Sequence, residues 1–424
     1  MTAVTSGPPR VATLDIVRGI AVMGILAMNI VAFSMPFSAY MNPVAFGMEG
    51  PADFLSWLFS FIFVDGKMRG LFSLLFGASM LLVIERAEAK GESAAAVHFR
   101  RMAWLFLFGL FHLYFIWFGD ILSLYAMIGM VAWLFRRKSP RSLIKWGIAF
   151  VVMQMIVFGG LGVGAFALQQ AAADPNASAD AISRWQELER QFGLIEGQAL
   201  TDKLALFHGP YTALAGYRLG EHATAPIFAL AMFGWETLGY FLFGMAALKT
   251  GMLTGGWDNA RYRKWAVVGL AISGPAYALL AWLLARDGFS VPMVISIVMA
   301  ATVPFRPLMV VAYAALIILA TRGGGWLVER IAAAGRAAFT NYLGTSIVMT
   351  TLFYGYGLGF YGALSRAELW LVVIAAWVVM LAWSKPWLDR YQYGPFEWAW
   401  RSLARWQLQP MRKRLAAEAV AAGA

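Results

Sequence analysis

The chain contains no cysteine, so neither a disulfide framework nor a thiolate centre is open to it. It has four histidines, His98, His112, His208 and His222, too few and too scattered for a histidine-rich metal centre, and no metal is expected. Charge is scarce too: 13% of residues are Asp, Glu, Lys or Arg, against about a quarter in an ordinary globular domain. No phosphate loop, His-Glu-x-x-His helix or Gly-x-Ser-x-Gly elbow occurs, which removes the soluble enzyme classes those motifs mark.

What is present is apolar. Hydrophobic residues make up 60% of the 424 positions, and the mean hydropathy is +0.65. Long apolar runs recur from end to end, which implies an all-α polytopic integral membrane protein, a single transmembrane domain over 1–424. Spans are expected near 14–34, 68–85, 102–118, 120–135, 144–168, 227–248, 265–285, 291–320, 339–358 and 367–384. The short N-terminus MTAVTSGPPR is followed by no small-residue cleavage site, so the first span reads as retained.

The net charge of +11 sits in short connections between apolar runs, a positive-inside pattern rather than a nucleic-acid footprint. Arg86, Lys90, Arg100 and Arg101, the run RRKSPR at 136–141, the cluster Arg261, Arg263 and Lys264, and the tail with Arg401, Arg405, Arg412, Lys413 and Arg414 all fall on one side. About ten spans then put both termini in the cytoplasm. The connection 169–225 carries seven acidic residues against four basic ones and belongs outside; its stretch ASADAISRWQELERQF has helical periodicity, so a small outer helical cap is expected. The segment 385–424 reads as a basic, amphipathic cytoplasmic tail lying on the membrane surface.

Two segments fit the span pattern poorly. ADFLSWLFSFIF, 52–63, is too short to cross and reads as an interfacial or re-entrant helix on the outer face. The run 291–320 is interrupted by VPFRP, where Pro304 and Pro307 break the helix around Arg306. Either Arg306 lines a cavity or the break is an ordinary loop, and the second option inverts the topology downstream.

Polar residues inside apolar runs are the functional candidates. In LDIVRGIAVMGILAMNI, Arg18 and Asn29 are eleven residues apart, about three turns and 16 Å along one helix face. Asp15 and Arg18 pair at i, i+3; they form either an interfacial cap or a cytoplasmic mouth. His112 lies in the third span, and Asp120, eight residues on, falls within about 80° of it around a continuous helix. Asp65, Lys67 and Arg69 begin the second span at the same level and Tyr125 follows Asp120, so Asn29, Asp65, Lys67, His112 and Asp120 are expected to form an outer-half cluster. The stretch AAGRAAFTNYLGTS brings Arg336 and Asn341 to the cytoplasmic entrance of the ninth span, where Asn341 either meets a ligand headgroup or satisfies neighbouring helices.

LDIVRGIAVMGILAMNI, DGKMRGLFSLLFGAS, FHLYFIWFGDILSLYAMIG, GRAAFTNYLGTS and YGPFEWAWRSL, in this order, resemble the bacterial YeiB-like family, domain of unknown function 418. More distantly, the opening LD-x-x-RGIA is similar to the transmembrane acyltransferases, of the acyltransferase-three and heparan-glucosaminide acetyltransferase types. That resemblance implies about ten or eleven spans and transfer of an acyl group from cytosolic acyl-CoA to an acceptor on the far side. In the acyltransferase-three group a histidine stands eleven residues after the first-span arginine; here that residue is Asn29. An amide is no general base near neutral pH, so the resemblance leaves His112, assisted by Asp120, as the base. It implies Arg18, Arg100, Arg101 and Arg336 as holders of CoA phosphates, and Asn29, Asp65, Lys67, Arg69, Tyr125 and Asn341 as substrate contacts. The expected partners are membrane lipids with a lipid or glycan acceptor, and no nucleic acid. The competing reading is a transporter or flippase of a small molecule or lipid, in which the same cluster binds cargo and the VPFRP break serves as a broken-helix site; a homo-oligomer is left open.

Overall fold

The computed structural model describes residues 12–413; the N-terminal decapeptide and Arg414 of the expected tail lie outside the described residues. The protein is all-α, and among the described residues the one β feature is an isolated bridge between Tyr391 and Arg412. The bundle is built from α1 (Ala12–Ser34), α2 (Pro51–Phe59), α3 (Lys67–Ala89), α4 (Ala94–Phe111), α5 (Leu122–Ala132) and α6 (Pro140–Ala173). Three helices follow in the polar connection: α7 (Ala179–Phe192), α8 (Gly197–His208) and α9 (Tyr211–Glu221). The second half holds α10 (Ala225–Lys249), α11 (Asn259–Asp287), α12 (Val291–Val294), α13 (Arg306–Thr321), α14 (Trp326–Arg336), α15 (Ala338–Phe353), α16 (Arg366–Arg390) and α17 (Pro395–Arg405).

Seven helices are long and apolar enough to cross a membrane. An eighth crossing is a pair, Val291–Ala301 and Arg306–Thr321, bent by 54° where Pro304 and Pro307 interrupt the ladder. Of the ten expected spans, two are shorter helices: Leu122–Phe135, and α15 with 16 residues. Both fall below the roughly 20 residues that a perpendicular crossing needs. The segment 52–63 forms α2 and the π turn after it. It runs through a break at Asp65 and Gly66 into α3, and the whole stretch Pro51–Ala89 is a 39-residue candidate span. Gly66 adopts φ +73°, and a Cβ there would stand 3.0 Å from Arg306 Nε, so the break is both a left-handed turn and a close approach.

α1 is the central helix: 83% of its most apolar window is buried, against 22% for α16 at the periphery. It owes that position to small residues. A Cβ on Gly335 of α14 would lie 1.8 Å from Asp15 O, so the two backbones touch. α10 meets α3 the same way, since a Cβ on Gly244 would lie 1.8 Å from Leu74 O.

Three short π-helical turns interrupt the bundle, at Ser60–Val64, His112–Ile116 and Ile295–Ala301. Each precedes a polar residue by a few positions: Asp65, Asp120 and Arg306. Such turns concentrate at functional sites because they re-aim the chain without ending the element. The helices of the polar connection fold over the second turn, where Tyr211 donates to Phe115 O (2.8 Å), Tyr114 to Ala223 O (2.7 Å), and His222 stacks on Phe118.

Replacing Gly335 with Ala forces α14 off α1 and is expected to cost about 1–3 kcal/mol, read as a lower unfolding temperature of the purified protein. Gly160→Ala, where an added Cβ meets nothing within 4 Å, leaves that temperature unchanged or slightly raised.

Candidate functional site

His112 and Asp120 come together, but not around a continuous helix as their spacing suggests. α4 loosens into the π turn at His112, Trp117 is extended (φ −155°, ψ 133°), and the chain reverses before α5. Gly109 makes room for the reversal: a Cβ there would sit 2.3 Å from Ser123 N and 2.9 Å from Asp120 Oδ2. Asp120 then caps α5, accepting from Leu122 N at 3.0 Å and Ser123 N at 2.8 Å. Its Oδ1 also lies 2.9 Å from His112 Nδ1.

With Asp120 already accepting from two backbone amides, the third contact pairs its Oδ1 as acceptor with His112 Nδ1 as donor. His112 Nε2 is then a bare acceptor. The imidazole is fully buried, and Nε2 has no hydrogen-bond partner among the described residues. Tyr342 packs against it with ring centroids 5.3 Å apart, while its hydroxyl accepts from Ile121 N at 3.3 Å. Beyond Tyr342 lies a cavity of about 10 Å³, lined also by Asn29, Phe33, Thr345 and Ser346. Asn29 and His112 therefore flank the same tyrosine.

The other charged residues form a network of their own. Glu236 of α10, wholly buried, accepts from Arg69 Nη2 at 2.6 Å and Arg306 Nη1 at 3.1 Å. Arg306 also donates to Val298 O (2.7 Å) and Thr302 Oγ1 (2.6 Å). Lys67, inaccessible to solvent, donates to Phe61 O and lies 3.4 Å from the ring centroid of Tyr277. Tyr125 is tied into the same region by Ser73 Oγ at 2.5 Å. It buttresses Arg69 rather than facing a cavity.

α1 separates two cavities. Val22, Ile25, Leu26, Asn29 and Phe33 line the cavity beside Tyr342, whereas Ala27, Met28, Ile30 and Val31 line a second cavity with Asp65 and Arg366. At about 100° per residue, those two sets point roughly 160° apart. The single cluster expected from the sequence is thus two sites on opposite faces of one helix, with Asn29, His112 and Asp120 on one and Asp65 on the other.

Arg18 is held at the α1–α14 crossing by Asp15 (2.9 Å), Ser79 Oγ (2.7 Å) and Gly335 O (3.5 Å), which brings it beside the last turn of α14 and hence near Arg336. Arg100 bonds back to Ala96 O, while Arg101 lies 4.2 Å from the Trp400 ring centroid. Arg101 faces α17 instead. Asn341 is fully engaged by Ala334 O, Ser384 Oγ and Trp383 Nε1, so satisfaction of neighbouring helices describes it.

Glu236, Arg366 and Glu397 were not singled out by sequence. Glu236 carried a usable signal, being a lone acid inside the apolar AMFGWETLGYFLFG. Glu397 did not: it caps α15 from 57 residues away, accepting from Phe339 N (2.6 Å), Thr340 N (3.1 Å) and Thr340 Oγ1 (2.5 Å). Burial pushes its carboxyl above the usual range, and the Thr340 bonds oppose that shift. α17 is accordingly docked into the bundle, with Trp400 donating to Arg101 O at 3.0 Å, and is more than a surface anchor. Among the described residues no group of three or more His, Asp or Glu is placed to hold a metal ion.

Residues 247–407 match the model of a family described as a protein of unknown function, DUF418. Over 411 residues the chain is 32% identical to YeiB of Escherichia coli (strain K12), covering 93% of this chain and 96% of that protein. It is 31% identical over 423 residues to YxaH of Bacillus subtilis (strain 168), covering 96% of each. A 39.9 kDa protein encoded in the amylase 3′ region of Bacillus acidopullulyticus is 34% identical over 122 residues, 29% of this chain and 33% of that protein. No solved structure matches.

Neutralising Glu236 takes the counter-charge from the buried Arg306 and the half-buried Arg69, and breaking a buried ion network in this way costs about 3–5 kcal/mol. Glu236→Gln is therefore expected to lower the unfolding temperature sharply, and adding Arg69→Met to recover part of the loss. Thermal unfolding of the two variants beside the wild type checks both.

Proposed function

This chain belongs to the DUF418 family, and we propose that it is a membrane-embedded acyltransferase, moving an acyl group from cytosolic acyl-CoA to a lipid or glycan acceptor at the outer surface. One observation carries the reading: His112 is bonded through Nδ1 to Asp120 at 2.9 Å, with a buried, unpartnered Nε2. That is the arrangement a general base requires, a carboxylate fixing the tautomer and stabilising the imidazolium that forms.

In the proposed reaction an acceptor hydroxyl gives its proton to Nε2 as its oxygen attacks the thioester carbonyl. The tetrahedral intermediate collapses, the C–S bond breaks, and the CoA sulfur leaves with the proton returned by His112. Asn29, across Tyr342, has the amide N–H to donate to the developing oxyanion. This gives the amide a role that its lack of basicity does not forbid. Arg18 and Arg336, neighbours at the α1–α14 crossing, are the candidates for the CoA phosphates. The cavity beside Asn29, about 10 Å³, has room for a water molecule. Turnover therefore includes an opening around Tyr342. The basic connections support placement in the bacterial inner membrane with both termini cytoplasmic and Arg18 on the donor side.

A transporter is the second reading, favoured by the 54° bend at which Arg306 joins Glu236 and Arg69. The two separate in proteoliposomes loaded with acyl-CoA. As an acyltransferase the protein loses about 10²–10⁴ of its transfer rate on His112→Ala or Asp120→Asn while acyl-CoA affinity stays within about twofold. No measurable affinity for acyl-CoA, together with cargo flux abolished by Arg306→Ala, overturns that reading in favour of transport.

A further inference from the structure

The face of α1 turned away from His112 borders a second polar cavity, of about 20 Å³, where α1 meets α2, α16 and the short helix Phe37–Met41. Tyr40, Ser56, Ser60, Asp65 and Arg366 line it, with Trp57 and Trp370 as aromatic walls. Ser56 spends its hydroxyl on Arg366 O at 3.2 Å. Asp65 makes no side-chain hydrogen bond or ion pair among the described residues; of the cations that act on it, Lys67 foremost, then Arg366 and Arg306, Lys67 is turned to Phe61 O and the Tyr277 ring, and Arg366 is the one that borders the same small space.

Opposite charges in a poorly polarisable interior collapse onto each other unless something holds them apart. Here Arg366 is held. Its Nη2 is bound by three carbonyls, those of Ala39 (2.6 Å), Pro43 (3.2 Å) and Phe46 (3.1 Å). Its backbone begins α16 under the capping box formed by Ser365 and Glu368. Asp65 is fixed as well, by the Gly66 turn between α2 and α3. The result is a carboxylate and a guanidinium facing one cavity, each anchored, with an unfilled gap between them. Arg366 is 5% exposed, and its Nε is buried without a partner.

A ligand that completes this arrangement brings a cation to Asp65 and an anion to Arg366. We propose that this site, opening beyond its present volume of about 20 Å³, which holds one or two waters, seats a small zwitterion, an ammonium facing Asp65 and a phosphate or carboxylate facing Arg366, and that its occupant is an aminophospholipid headgroup. Tyr40 and Ser60 add hydroxyls, and Trp57 and Trp370 offer faces that attract an ammonium. Depth favours a lipid over a free solute. From Lys67 to Arg86, α3 rises about 29 Å at 1.5 Å per residue, close to the thickness of a hydrocarbon core. With Arg86 at one interface, Asp65 therefore stands at the headgroup level of the other. The site lies on the opposite face of α1 from His112 and is independent of the acyltransferase reading.

Native mass spectrometry of the full-length protein, delipidated and then offered phosphatidylethanolamine and phosphatidylglycerol of equal chain length, tests the proposal. The expected result is retention of the amino lipid at least about tenfold over the glycerol lipid, falling to parity in Asp65→Asn and weakened in Tyr40→Phe, with unfolding temperatures near wild type. Displacement by free phosphoethanolamine assigns the same chemistry to a soluble zwitterion; resistance to it assigns the lipid. Equal retention of both lipids by the wild type, or a preference that survives Asp65→Asn, overturns the proposal.

Discussion

Glu236 is the residue on which the charged half of the bundle depends. Moving an ion out of water costs several kcal/mol even after relaxation, and α3 and α13 each bring an arginine into contact with this one carboxylate. Without it, the buried Arg306 and the half-buried Arg69 are two like charges with no counter-charge between them. With it, three helices from distant parts of the chain are held in register: the partners lie 167 and 70 residues from Glu236 in sequence. The bend at Arg306 is then a consequence of where the carboxylate sits. Pro304 and Pro307 permit the break, and Glu236 with Thr302 fixes its direction.

The second organising constraint is the burial of α1. Because glycines let α14 close on it and its remaining faces are covered, polar residues that look like one set in sequence end on two faces. One face presents an imidazole whose outer nitrogen is free, beside an amide and a tyrosine. The other presents a carboxylate and a guanidinium that cannot meet. A single helix thus serves as the wall between a site suited to proton transfer and a site suited to a dipolar ligand.

Much of the architecture was legible in the apolar runs, since a membrane forces backbone polar groups into helices and leaves the pattern little freedom. The break at Arg306 was legible for the same reason, because two prolines around a charge cannot stay helical. The turn between His112 and Asp120 was not. FHLYFIWFGDILSLY has no proline, and the reversal depends on Gly109 admitting Ser123, a contact that spacing does not reveal. Nor could sequence distribute the charges: Asn29 and Asp65 are both polar residues at similar depth, and which face each borders depends on the neighbours of α1. Glu397 shows the limit most plainly, since nothing in YGPFEWAW says that its acid will cap a helix 57 positions earlier.

The account rests on His112 offering an unprotonated Nε2, and its tautomer is directly measurable. Solid-state ¹⁵N NMR of histidine-labelled protein in lipid bilayers, with His112 assigned by difference against His112→Gln, distinguishes the two ring nitrogens. At neutral pH the account predicts a protonated Nδ1 hydrogen-bonded to Asp120 and a bare Nε2. A proton resident on Nε2, with Nδ1 as acceptor, would contradict it, because the group assigned as base would then have no lone pair to offer.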